Sequence, residues 1–432
     1  MSPFIIGGIG IICFFILALL RIPLGFSFML MAFLGTFLIK GVGAGLSILG
    51  TELYSHSSTY VLSAIALFTL MGQFAFHAGI GSDLFASAYK WLGRLPGGLA
   101  IATMFACTGF AACTGSTVAS AATMSSVAYP EMDRFGYNQG LSTGVIATGG
   151  SLGILIPPSG VFIIYGFLTS TSIATLFVAG ILPGIMLAIL YSVLIYVRCK
   201  RNIELGPRGE SFPWRDRFAS LSGIWGMLAL FVLIIGGMYT GIFAPSEAAA
   251  VGAAGALVIC AVRRRLSLKA IRDSLRESAR ITCTILTIIV GAMMFNIFLS
   301  VSGFGVAMSK WIIGLPFSPI GLLAFILFIY IPLGAFMDAL AMLMLTLPIF
   351  FPVVVSLGFD PVWYGVLMVV MLELGALTPP IGLNAFVVHG MTKVPLGDIF
   401  RGLTPFILVM IVGLAILVAF PQISLFIPGL TR

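Results

Sequence analysis

Residues 149–160 read Gly-Gly-Ser-Leu-Gly-Ile-Leu-Ile-Pro-Pro-Ser-Gly, with two consecutive prolines in an otherwise apolar and glycine-rich segment. A regular helix cannot pass through it, because Pro157 and Pro158 lack a backbone N–H and each ring clashes with the preceding turn. Inside a bilayer, backbone freed in this way is tolerated only where protein or a water-filled cavity satisfies it. The stretch therefore predicts a broken membrane helix beside a cavity.

A matching stretch, Leu-Gly-Ala-Leu-Thr-Pro-Pro-Ile-Gly at 374–382, lies 222 positions further along the chain. The same offset places Pro130 on Pro352 and Pro183 on Pro405. Because proline and glycine set special backbone geometry, their repeated coincidence at one offset indicates an internal duplication. If each half crosses the membrane an odd number of times, the two halves have opposite orientation, as in inverted-repeat transporters.

The composition excludes a water-soluble protein. Of 432 residues, 60% are hydrophobic and 8% charged, and the mean hydropathy is +1.16. At roughly 20 residues per spanning helix, the apolar runs predict about ten crossings. The net charge is +8, and the basic residues lie in short loops between the apolar spans. Because they form no stripe interleaved with aromatic residues, they reflect membrane topology and not nucleic-acid binding.

These features predict an all-α polytopic membrane protein with two inverted-topology repeats. The first repeat covers 1–200 and the second 221–432, joined by a cytoplasmic linker at 201–220. Each repeat combines scaffold helices, a re-entrant hairpin and a broken transmembrane helix. The hairpins are predicted at about 97–129 and about 318–353, and the broken helices at about 136–167 and about 362–389. Among the full spans of the second repeat, helices are predicted at 281–302 and 404–426.

Charge suggests the orientation. With both termini outside the cell membrane, all Lys and Arg except Lys40, Lys310 and Arg432 fall on the cytoplasmic side, as the positive-inside rule expects. An alternative stays open, because two basic loops at 198–217 and 263–280 would give most of this bias in any scheme that separates them by two crossings.

The hairpin tips and breaks predict sodium sites. Hard cations prefer oxygen ligands, and the predicted tips are Thr114–Thr117 and Gly334–Asp338. We expect one sodium site per repeat, built from tip side chains and carbonyls of the break. An intramembrane carboxylate such as Asp338 or Glu373 is functional by default, although a helix cap or an inter-helix hydrogen bond is the structural alternative.

No transition metal or organic cofactor is expected, because the histidines and cysteines lack ligand spacing. The breaks and hairpins carry no Lys or Arg. An anionic solute would therefore be neutralised by bound cations and helix N-termini.

The long motifs around both breaks resemble those of a known family. They comprise 149–159, Tyr165-Gly166, Ala179–Gly184, Glu373–Gly375 and Thr378–Asn384. The chain resembles the large membrane (transport) subunit of tripartite ATP-independent periplasmic (TRAP) transporters, in the ion-transporter superfamily, and the likeness spans almost the whole sequence.

The resemblance implies a transporter, not an enzyme, located in the bacterial inner membrane, where the charge distribution predicts that both termini are periplasmic. It would import an organic acid, such as a C4-dicarboxylate, sialic acid or a similar carboxylate, using sodium as the coupling ion. Hairpins and broken helices would move against the scaffold in an elevator mechanism. The implied partners are a small four-helix membrane subunit, expected as a separate chain, and a periplasmic substrate-binding protein.

The resemblance also implies site residues. The first sodium site would use Ser116, Thr117, Gly150, Gly153 and Pro157. The second would use Asp338, Gly375, Thr378 and Pro379. The substrate is expected to contact Thr114, Gly115, Ser151, Ser159 and Asn384.

Two other functions are considered. A stand-alone sodium-coupled carboxylate carrier of the same superfamily would keep the architecture but need no binding protein. An intramembrane hydrolase would centre on Ser116, although no histidine is placed near it in the sequence.

Overall fold

A computed structural model describes residues 2–380 and 382–430, with the side chains of residues 56 and 57 left out of the description. Every regular element in these residues is helical. The helices of the first half are α1 Pro3–Leu19, α2 Leu24–Lys40, α3 Val42–Ser47, α4 Leu53–Ser57, α5 Ser63–His77, α6 Ile80–Leu92, α7 Gly98–Thr114, α8 Thr117–Arg134, α9 Gln139–Ser151, α10 Gly160–Thr169 and α11 Ile173–Arg201.

The second half repeats the order of hairpin, broken helix and long final helix. Its helices are α12 Trp214–Leu221, α13 Trp225–Phe231, α14 Gly237–Tyr239, α15 Pro245–Val262, α16 Leu268–Ser302, α17 Phe304–Ile313, α18 Pro319–Gly334, α19 Ala339–Ser356, α20 Pro361–Leu377, α21 Leu383–Thr392, α22 Leu396–Ala419 and α23 Gln422–Gly429. Short 3₁₀ or π turns complete the chain at Ile48–Glu52, Tyr60–Leu62, Leu152–Ile154, Ile203–Leu205 and Val232–Gly236.

The chain is a multi-pass membrane protein. Within the described residues, six helices are long and apolar enough to cross a membrane, or seven if the bent pair Trp214–Leu221 and Trp225–Tyr239 is one span. Other apolar helices have 10–17 residues. The sequence predicts about ten crossings, and the difference arises because α1 and α2 have 17 residues each and the broken helices are divided into shorter segments.

Helices α1, α2, α5, α15 and α16 pack together in one group, which is called the scaffold below. Helix α16 packs along α2, and α15 packs along α5. Glycines allow the closest contacts: a Cβ on Gly35 would lie 2.2 Å from the ring of Phe298, and one on Gly10 would lie 2.5 Å from the same ring. Small residues at helix crossings are typical of membrane proteins, where close backbone approach replaces the hydrophobic driving force.

The second group, called the hairpin group below, contains the hairpins α7–α8 and α18–α19, the broken helices α9–α10 and α20–α21, and the long helices α11 and α22. The two halves interlock in this group, because α9 packs on α22 and α8 packs on α21. A Cβ on Gly402 would lie 1.9 Å from the carbonyl oxygen of Gly140. The broken helix of the first half and the last long helix of the second therefore meet backbone to backbone.

Two predicted helix boundaries are wrong. The span predicted at 281–302 begins at Leu268, so the basic residues between 268 and 280 are part of the helix. Ser267 caps this helix by accepting a hydrogen bond from the Ala270 N–H. The span predicted at 404–426 begins at Leu396 and ends at Ala419, and Pro421 separates it from α23. Proline cannot continue a helix that must donate from its N–H.

The linker predicted at 201–220 is ordered against the first half. Its backbone exchanges hydrogen bonds with the loops before α7 and α9, from Gly97 N–H to Gly206 O and from Asn138 N–H to Leu205 O. The Trp91 indole on α6 donates to the Arg217 carbonyl at 3.1 Å. These bonds fix the connection between the halves to the surface of the hairpin group.

Candidate functional site

The first break is fully buried. Helix α9 ends at Ser151 and a 3₁₀ turn follows, and α10 begins at Gly160. Ser159 caps α10: its hydroxyl accepts from the Phe162 N–H at 3.3 Å and donates to the Ile154 carbonyl. The Pro157–Pro158 peptide bond is cis, and residues 151–159 are buried throughout. The capping serine thus satisfies a carbonyl and an amide that the prolines leave without helical partners.

The tip of the first hairpin packs on this break. Helix α7 ends at Thr114, Gly115 has φ +57°, and Ser116 caps α8 by accepting from the Ala119 N–H at 3.3 Å. A Cβ on Gly115 would lie 2.2 Å from the Pro158 carbonyl oxygen. A Cβ on Gly153 would lie 2.9 Å from the Ser116 carbonyl oxygen. The structure therefore places Gly153 against Ser116 and Thr117, three of the residues predicted for the first sodium site.

The tip of the second hairpin follows the same plan. Asp338 caps α19, with Oδ1 accepting from the Ala341 N–H at 2.7 Å. A Cβ on Gly334 would lie 2.3 Å from the Gly375 Cα, so α18 and α20 touch through their backbones. Thr378 directly follows α20, and its hydroxyl donates to the Leu374 carbonyl at 2.6 Å. The Pro379–Pro380 bond is also cis, and both prolines are exposed.

A cavity of about 200 Å³ lies between the two hairpin tips and the scaffold. Four helices begin at its wall: α8, α10, α19 and α21. Helix N-termini carry partial positive charge and free N–H groups, so their convergence favours an anion. Scaffold residues of the opposite wall are Ile65, Phe68, Thr69 and Gln73 of α5 and Ile281 and Ile285 of α16.

A second cavity, of about 260 Å³, adjoins the first. Its wall includes the turn between α1 and α2 and the second hairpin tip, and the shared residues are Thr117, Ile154, Asp338, Ala339 and Leu383. Among the described residues that line the two cavities, Asp338 is the one acidic side chain and Arg21 the one basic side chain. Arg21 belongs to none of the predicted sites.

Sequence gives no local signal for Arg21. It stands at the end of an apolar helix, a position where basic residues are common in membrane proteins. Only the folded chain places it across from the second hairpin tip.

The predicted site residues fall into three groups. Those lining the first cavity are Thr114, Gly115, Ser116, Thr117 and Asp338. Those at backbone contacts or at the breaks behind the tips are Gly150, Gly153, Pro157, Gly375, Thr378 and Pro379. Those with fully buried side chains, outside the lining of both cavities, are Ser151, Ser159 and Asn384.

Two of these buried side chains donate to backbone carbonyls, whereas the buried Asn384 Oδ1 accepts no hydrogen bond from the described residues. Ser151 donates to the Thr148 carbonyl at 2.8 Å, and the Asn384 amide donates to the Ala147 carbonyl at 3.1 Å. The Asn384 bond joins the second break to the broken helix of the first half. Glu373 is fully buried and lies outside both cavities, unlike Asp338.

This arrangement of paired hairpins and broken helices around a central cavity is that of a polytopic α-helical transporter. Two solved transporters share the fold. The Alcanivorax borkumensis YdaH transporter aligns with a TM-score of 0.62 at 14% identity, covering 91% of this chain and 96% of that one. MtrF of Neisseria gonorrhoeae, described as one of a class of antimetabolite efflux pumps, aligns with a TM-score of 0.57 at 13% identity, covering 88% and 85%.

Sequence comparison gives the family. Residues 11–423 match the family described as "Tripartite ATP-independent periplasmic transporter, DctM component". The C4-dicarboxylate TRAP transporter large permease protein DctM of Pseudomonas aeruginosa is 36% identical, over 88% of this chain and 89% of that protein. The sialic acid large permease SiaM of Vibrio cholerae is 30% identical, over 94% and 95%. The chain belongs to the DctM family of TRAP transporter large permeases.

Proposed function

We propose that this chain is the large permease subunit of a sodium-coupled TRAP transporter that imports an organic anion across the bacterial inner membrane. The observation that carries the proposal is the convergence of four helix N-termini, one capped by Asp338, on a single cavity. The N-termini supply positive potential for an anion, and Asp338 supplies a negative charge for a cation. A site of this kind suits the binding of both ions together.

Sodium would bind beside each hairpin tip. At the first tip, the ligands would be the oxygens of Ser116 and Thr117 and carbonyls near Gly150, Gly153 and Pro157. At the second tip, they would be Asp338 with oxygens of Gly375, Thr378 and Pro379. Hydroxyl, carbonyl and carboxylate oxygens are the ligands that hard cations take. The tight tip-to-break contacts at Gly153 and Gly375 support both sites.

The mechanism would be an elevator displacement of the hairpin group against the scaffold. The scaffold wall of the cavity is largely apolar, with Ile65, Phe68, Ile281 and Ile285 facing the tips. A group of helices can slide along such a wall without breaking ion pairs. The backbone contact between Gly140 and Gly402 and the Asn384 bond to Ala147 would keep the moving group together.

The substrate would carry an acidic group. Relatives are named for C4-dicarboxylate, sialic acid and, in Oleidesulfovibrio alaskensis, isethionate, and each of these solutes bears a carboxylate or sulfonate. The isethionate relative is named DctMQ, and the match with this chain covers 66% of its length. This name supports a small membrane subunit as one partner. A periplasmic binding protein that delivers the anion would be the other.

Reconstitution tests the function. Liposomes containing the chain and its small subunit should accumulate the anion only with loaded binding protein outside and an inward sodium gradient. A matched control uses equal sodium on both sides, where accumulation should stop because no gradient drives it. Accumulation that persists in this control would contradict sodium coupling. Full uptake without the binding protein would favour a stand-alone carrier.

A further inference from the structure

Arg21 occupies an unusual position in the turn between α1 and α2. Its backbone has φ +63°, a conformation that a residue with a side chain seldom adopts. The following helix, α2, packs along α16 and so belongs to the scaffold. Arg21 lines the second cavity together with Asp338 of the hairpin group.

The Arg21 side chain is exposed. Among the described residues, no acceptor forms an ion pair or a hydrogen bond with it. By contrast, the half-buried Arg263 donates to the Asp83 carboxylate and to the Ala78 carbonyl. A guanidinium presents five donors in a planar fork that matches a carboxylate. The one cationic side chain of the two cavities is therefore available to a ligand.

We propose that Arg21 is a fixed anion-binding residue, which receives the acidic group of the substrate beside the second hairpin tip. The inference rests on the function proposed above and adds a residue to it. Thr117 and Asp338 border both cavities, so an anion held by the helix N-termini is adjacent to the space that Arg21 lines. Because Arg21 stays with the scaffold, its contact with the substrate depends on the position of the hairpin group.

Asp338 makes this contact depend on sodium. A carboxylate in the same cavity repels the substrate anion and competes for the guanidinium. A sodium ion bound at Asp338 cancels that charge, so the anion meets Arg21 most favourably when the second sodium site is filled. Removing Arg21 should therefore weaken anion binding most in the presence of sodium.

The competing interpretation is that Arg21 only anchors the cytoplasmic end of α1. Arg264 provides a matched control for this possibility. It also follows a scaffold helix, has φ +54° and is exposed, but it lines neither cavity. An anchoring role predicts similar effects for Arg21→Gln and Arg264→Gln.

The test measures succinate binding to the chain purified with its small subunit, from the succinate concentration that gives half-maximal thermal stabilisation in sodium. Arg21→Gln should raise this concentration about tenfold or more, as expected for a lost contact to a charged group. Arg21→Lys should give a smaller rise, because it keeps the charge but loses the fork. Arg264→Gln should match the wild type.

Several results would overturn the role of Arg21. These are wild-type binding by Arg21→Gln, an equal loss in Arg264→Gln, or no succinate effect on the wild type in sodium. If Arg21→Gln folds poorly, Arg21→Lys replaces it in the test. Arg21→Lys lacks the planar guanidinium, so unchanged succinate binding by this variant would also count against the proposal. Sodium-driven uptake is measured separately in liposomes. Its absence in the wild type would contradict the transport function, while the binding series still decides on Arg21.

Discussion

Asp338→Asn is expected to raise the sodium concentration for half-maximal uptake at least about tenfold, since a contact to a charged group is worth about 1.5–3 kcal/mol. Asparagine keeps the shape of the side chain and can still accept from the Ala341 N–H, so the cap on α19 remains. Only the negative charge offered to sodium is lost. The measurement is the sodium dependence of initial uptake rates in liposomes.

Asp360→Asn is the matched control. Asp360 caps α20 in the same manner, accepting from the Val362 N–H at 2.7 Å and the Trp363 N–H at 3.1 Å. It lines neither cavity. Its substitution should leave the sodium dependence unchanged. If both variants lose sodium affinity equally, or if Asp338→Asn retains wild-type sodium dependence, the second sodium site is not where we propose.

Gly115→Ala is expected to abolish most transport and to lower the free energy of unfolding by roughly 2–5 kcal/mol, from strain at positive φ and from overpacking. The new Cβ would lie 2.2 Å from the Pro158 carbonyl oxygen, and the backbone φ is +57°. The hairpin tip would have to leave the first break and take Ser116 with it. Thermal unfolding in detergent and uptake in liposomes measure the two effects.

Gly160→Ala separates this packing effect from a general intolerance of side chains near the cavity. Gly160 also lines the cavity, but a Cβ there meets nothing within 4 Å. It is the first residue of α10, where alanine favours the helix. Near-normal stability and uptake are expected. Equal damage from both substitutions would show that contact between the tip and the break is not the cause.

The positions of the two breaks could be predicted because their cause is local. Pro157 and Pro158 interrupt a helix in any context, and their repetition at Pro379 and Pro380 identified the second break. Helix limits set by capping were less predictable. The basic residues before position 281 suggested a loop, yet charge alone does not end a helix, and Ser267 begins α16 well before the apolar span.

The parts of the site that depend on distant partners could not be predicted. Asn384 and Ser151 are both predicted to contact the substrate. The Asn384 amide donates to the Ala147 carbonyl of the other half, and the Ser151 hydroxyl donates to the Thr148 carbonyl of its own helix; neither bond is visible in the sequence. Arg21 and Asp338 are far apart in the chain, and no periodicity or spacing connects them. Their meeting in one cavity depends on how the hairpin group lies against the scaffold.

The backbone contact between Gly140 and Gly402 has a consequence for biosynthesis. Helix α9 leaves the ribosome with the first half, but the surface on which it packs, α22, is made more than 200 residues later. At 5–20 residues per second, the broken helix waits roughly 10 to 40 s in the membrane before its partner arrives. During that interval the hairpin α7–α8 of the first half can already pack on α9 and on the break, so the surface left to lipid or to the translocation machinery is the face of α9 that later meets α22.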